Sequence, residues 1–108
     1  KKVDAIYVDE KLKDLIVKIV HATRPGSKHF VGKYDGAIMA GASPRAAIWL
    51  YKIAKYKAFL QGNEFATPEN VLSIVRSVLG HRVLLTYEAV IDKIDVKDVV
   101  YDIASECL

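Results

Sequence analysis

The chain has 108 residues, 52% of them hydrophobic and 27% charged, the balance of one compact domain that withdraws about two thirds of its unfolded surface from water without metal or disulfide staples. Sixteen Lys and Arg against 13 Asp and Glu leave a net charge of +3, too mild to name nucleic acid as a partner. Charged residues interrupt every apolar run well short of the roughly 20 residues that a membrane span needs, and a single cysteine, Cys107, excludes an internal disulfide and fits a reducing, cytoplasmic setting. The sequence opens on Lys1 without a signal segment, and its one methionine is Met39. It therefore reads as a piece of a longer protein whose remaining chemistry lies elsewhere.

In chain order, Val8, Leu12, Leu15, Ile16, Ile19 and Val20 recur at helical spacing with Lys11, Lys13, Asp14 and Lys18 opposite, which predicts a first helix with Asp9 as its N-cap. Residues 23–42 form a long connection punctuated by Arg24-Pro25-Gly26-Ser27, Gly32, Gly36 and Gly41. It is expected to be mobile, shortened at most by a strand or turn around 29–31. Ser43-Pro44 is a cap followed by a proline at the first helical position. The helix it opens should run to about Gly62 and, apolar around most of its circumference, occupy the centre of a bundle. Thr67-Pro68-Glu69 repeats the signal for a third helix, with Val71, Ile74, Val75, Val78 and Leu79 on one face up to Gly80. Residues 83–94 fit a short helix and an extended piece equally, and Asp95 caps a last helix carrying Val96, Val99, Val100, Ile103 and Cys107. The predicted fold is all-α: a single small bundle of four to five helices spanning 1–108.

Catalytic constellations are sparse. Residues 26–33, GSKHFVGK, look like a phosphate loop, but five residues separate the glycines instead of four, and Tyr34 stands where Ser or Thr must hold magnesium. His21, His29 and His81 with Cys107 lack the close spacing that preorganises a zinc site. Cys107, near the terminus, has no rigid base or oxyanion donor implied beside it. Asp92, Asp95 and Asp98 suit helix starts, where carboxylates complement the dipole.

The most informative string is Gly41-Ala42-Ser43-Pro44-Arg45-Ala46. With Ser43 as cap and Pro44 at the first position, Arg45 projects from the positive end of a helix, a place for an anion. A stack of Arg45 on Trp49, one turn along, is the competing use of its guanidinium. The string resembles the sensor-2 motif of MoxR-type AAA+ ATPases. Three further stretches resemble that family in the expected order: 17–24 (VKIVHATR), 61–71 (QGNEFATPENV) and 79–82 (LGHR). Asn63 stands where arginine is common, Asn70 for the usual acid, and Trp49 for a smaller residue.

The resemblance implies a C-terminal helical lid, without the phosphate-binding core, of a protein that uses ATP and Mg2+. It implies Arg45 as the catalytic sensor of the γ-phosphate, with Ser43 and Arg24 in the nucleotide site. Arg24 is alternatively a subunit contact, and His81 with Arg82 would pack or bond to a helix end. The implied partners are the chain's own AAA+ core, the neighbouring subunit of a hexameric ring, and proteins with von Willebrand A domains, in chaperone-like remodelling. Two alternatives stay open. One is a helical nucleic-acid-binding module using Lys52, Lys55, Lys57, Arg76 and Arg82. The other is the lid of a magnesium chelatase or replicative helicase.

Overall fold

Local start signals place most of the helices. The computed structural model describes residues 5–27, 30, 32–34 and 36–108. Among them are α1 (Glu10–Ala22), β1 (Ile38–Ala40), α2 (Ala46–Leu60), α3 (Pro68–Leu79), β2 (Leu84–Leu85), α4 (Tyr87–Ile91) and α5 (Val96–Glu106), with one 3-10 turn at Gly32–Tyr34. The architecture is a small helical domain with a two-stranded sheet at its side, and no helix among the described residues is long and apolar enough to cross a membrane.

α1 buries the predicted stripe of Leu12, Ile16, Ile19 and Val20. Asp9 stands at its N-cap position, but its carboxylate accepts the Tyr7 hydroxyl at 3.3 Å and caps no amide of the first turn. Thr67 caps α3 through a reciprocal box: Asn70 N–H donates to Thr67 Oγ1 at 3.3 Å, and Thr67 N–H donates to Asn70 Oδ1 at 2.8 Å. Asp95 Oδ1 accepts from Lys97 N–H at 2.9 Å and starts α5.

α2 differs from expectation at its start and in its setting. Ala46 N–H donates to Ser43 O at 2.8 Å and Ala47 N–H to Pro44 O at 3.1 Å, so 43–45 form a tight turn and the α-helix begins three residues after Ser43. At the other end Gly62, at φ +78°, donates to Phe59 O while Asn63 donates to Ala58 O, the paired bonds of a Schellman stop. The inward seam of α2 is Ala46, Leu50, Ala54 and Ala58. Three of these four are alanines, and Trp49, Ile53, Tyr56 and Leu60 stay exposed, Trp49 and Ile53 beside Ile74 and Val78 of α3. The central helix is α3, which packs between α2 and α5 and buries Val71, Ile74, Val75, Val78 and Leu79.

In the connection of 23–42, Tyr34 and residues 36–40 are tied to later parts of the chain. Ile38 pairs with Leu85 and Ala40 with Leu84 in an antiparallel register with one irregularity. Thr86 N–H donates to Ala37 O, and its hydroxyl to Gly36 O, each at 2.8 Å. Tyr34 donates its hydroxyl to Asp102 on α5. A strand lies at 38–40; of the stretch 29–31, where a strand or turn is expected from the sequence, His29 and Val31 fall outside the described residues. Residues 83–94 satisfy both readings in turn: β2, then Thr86 accepting from Ala89 N–H at 3.2 Å to cap α4.

Candidate functional site

The end of α1 meets the start of α2 through two successive residues on each side. Thr23, fully buried, donates its hydroxyl to Val20 O at 2.7 Å and accepts Ala42 N–H at 3.0 Å. Arg24 Nη1 donates to Ala42 O at 2.8 Å. Gly41 lies so close that a Cβ there would stand 2.3 Å from Thr23 O, a separation that only a glycine allows. The string from 41 to 45 thus has a physical reading residue by residue. Gly41 permits contact, Ala42 fills a fully buried position, Ser43 Oγ accepts Arg45 N–H at 3.2 Å, Pro44 stiffens the turn, and Arg45 emerges.

Ser43 and Arg45 are exposed. Among the described residues the Arg45 guanidinium has no carboxylate, carbonyl or aromatic partner. The Trp49 ring is faced by Lys52, with Nζ 5.8 Å from its centroid, as expected where a long helical side chain leans back one turn toward the N-terminus. The stacking alternative for Arg45 is thereby replaced. Arg24 comes to the same corner as Arg45, with one guanidinium nitrogen committed to Ala42. The amides of Arg45, Ala46, Ala47 and Ile48 are all bonded within the turn, so any anion held here would be held by side chains.

Other candidates disperse. Arg82 Nη1 donates to Val78 O at 2.7 Å and closes the end of α3, the helix-end role expected of it. Arg76 lies 4.3 Å from the Tyr101 ring centroid and 3.5 Å from Asp98 Oδ1, so α5 already occupies a cation that the nucleic-acid alternative would need. Cys107 is buried, its thiol pushed up by desolvation, against the chemistry of a nucleophile. Among the described residues no three metal-ligating side chains converge, and His29 lies outside them. A 540 Å³ groove lined by Lys11, Leu15, Lys18, Cys107 and Leu108 runs along α1 and does not include Arg45. Sequence reasoning missed Thr23 and the reason for Gly41; the strings ATR and GASPR carried the signal without showing that they touch.

Residues 35–103 match the AAA lid domain family. Chaperone MoxR1 of Mycobacterium tuberculosis is 33% identical, over 82% of this chain and 23% of its own length. Protein MoxR of Methylorubrum extorquens is 35% identical, over 47% of this chain and 15% of its own length. The crystal structure of a candidate ATPase from Cytophaga hutchinsonii is similar at a TM-score of 0.88 and 30% identity, over 96% of this chain and 32% of that one. The chain thus spans less than a third of each of these three proteins.

Proposed function

The chain belongs to the AAA lid domain family and is a lid of the MoxR-like AAA+ kind; from this we propose that it senses bound nucleotide, with Arg45 as the group that reads the γ-phosphate. The observation that carries the reading is an exposed arginine without a partner among the described residues, held by a stiff turn against the core. A guanidinium keeps its charge at any physiological pH and offers a planar fork matched to phosphate oxygens. Among the described residues, no bond has to be broken to make Arg45 available.

The residues fit a phosphate and not a magnesium ion, which the remainder of the protein would hold. ATP bound there would supply the terminal phosphate; Arg45 would draw the lid onto it, and Ser43 keeps the turn in shape. Loss of that phosphate removes the partner and frees the lid. Arg24 joins the site with the donors that its bond to Ala42 leaves. The lid is then a regulatory part of an ATPase whose core, ring neighbour and remodelled proteins, von Willebrand A domain partners among them, act outside these 108 residues in the cytoplasm.

The test is Arg45→Ala and Arg45→Lys in the whole ATPase. Turnover falls at least about tenfold in the alanine variant, below the factor of ~10³ to 10⁵ assigned to arginine fingers. If the fork matters, lysine fails to restore it. The isolated lid keeps its stability within about 0.5 kcal/mol because Arg45 is exposed. Unchanged turnover in the alanine variant would refute the reading.

A further inference from the structure

Ala42 is held at both of its main-chain polar groups by consecutive side chains: its N–H by Thr23 Oγ1 at 3.0 Å and its C=O by Arg24 Nη1 at 2.8 Å. Thr23 and Ala42 are both fully buried. Thr23 is itself fixed by donation to Val20 O, one turn back on a helix whose Ile19 and Val20 are in the core. Between Ala42 and Arg45 stand only Ser43 and Pro44, with the Ser43 hydroxyl bonded to Arg45 N–H. Pro44 has a fixed φ, so little of a displacement at Ala42 can be absorbed before it reaches Arg45.

We propose that Thr23 and Arg24 are positioning residues for Arg45. They clamp Ala42 so that the guanidinium leaves the domain in one direction, and neither needs to touch nucleotide. The proposal rests on the reading of Arg45 as the phosphate sensor and extends it to α1, which lies outside the matched stretch of 35–103. The clamp matters because a misplacement of about 1 Å in a charge-stabilising group can cost on the order of a hundredfold in rate. It also gives the Arg24 side chain a use that requires no phosphate.

The experiment is a double-mutant cycle in the whole ATPase, read as ATP turnover at saturating nucleotide. Thr23→Val removes the hydroxyl at nearly constant volume, Thr23→Ser retains it, and each is made with Arg45 and with Arg45→Ala. With Arg45 present, valine should lower turnover at least about fivefold and serine should restore it to within about twofold, while in the Arg45→Ala background valine should change it by less than about twofold, since coupled residues are non-additive. Equal losses in both backgrounds, or no loss with Arg45 present, overturn the clamp and leave the sensor standing. If Arg45→Ala alone changes nothing, the sensor reading falls and the clamp with it. Should the valine variant not fold, Thr23→Ala, which also removes the hydroxyl, carries the same cycle beside Thr23→Ser with the same criteria.

Discussion

Asn70 stands where the resemblance leads one to expect an acid, and its surroundings explain why an amide serves there. It is 2% exposed. Its Oδ1 accepts Thr67 N–H and its Nδ2 donates to Gln61 Oε1, each at 2.8 Å. An aspartate would keep the first bond, and the exposed Gln61 can turn its amide to donate in place of accepting. Asn70→Ala has no such recourse. It leaves the Thr67 amide without its partner and should cost about 1 to 2 kcal/mol, whereas Asn70→Asp should stay within about 1 kcal/mol. Urea midpoints of the two variants check this, and an alanine variant as stable as the aspartate variant would show that the box contributes nothing. At this scale much was legible, because caps are local chemistry: Thr67 and Asp95 cap α3 and α5 as the sequence predicts, while Ser43 accepts its amide in the turn before α2. Asp9 was not, since its competing partner Tyr7 lies on the preceding segment rather than on the helix.

Among the elements, the pairing of β1 with β2 escaped the sequence because it joins strands of three and two residues across more than forty positions, too short for any periodicity to register. The exposed apolar residues of α2 escaped for a related reason. Composition shows that a helix is apolar all round but not which side its neighbours cover, and here the covered seam is Ala46, Leu50, Ala54 and Ala58. The fastening of the 3-10 turn to α5 gives a pH signature. Burial, first, and then donation to the Asp102 carboxylate push the Tyr34 hydroxyl up from its usual 10.0 to about 12. The neutral form is favoured in the folded state, so its stabilising effect is complete below pH 10 and is lost as pH rises from 10 toward 12. Tyr34→Phe should therefore melt at a lower temperature than the parent at pH 7 and converge with it toward pH 12. Parallel melting curves across that range would remove Tyr34 from the account.

For the molecule as a whole, the residues that carry the proposed function are divided between a segment shared with the AAA lid family and one that precedes it. Residues 35–103 supply Gly41 to Arg45, yet Thr23 and Arg24 come from the end of α1 and just beyond it. The overall all-α class was legible from four start signals and their apolar stripes. The meeting of 23–24 with 41–42 was not, since contact between two loop segments leaves no period in either.

That division bears on how the domain is cut for expression. A fragment trimmed to the matched stretch would discard Leu12, Ile16, Ile19 and Val20, all buried. At about 1.5 to 3 kcal/mol for each large apolar side chain, the loss is on the order of 6 to 12 kcal/mol, comparable with the roughly 5 to 15 kcal/mol that holds an ordinary domain folded. Residues 35–103 alone should give a broad, non-cooperative melt and recover poorly from the soluble fraction, while residues 1–108 should melt in one sharp step. A sharp transition in the shorter fragment would place α1 outside the folding unit. On the expected outcome, the border drawn by likeness falls short of the smallest piece that stands unaided by the whole of α1 and the connection behind it.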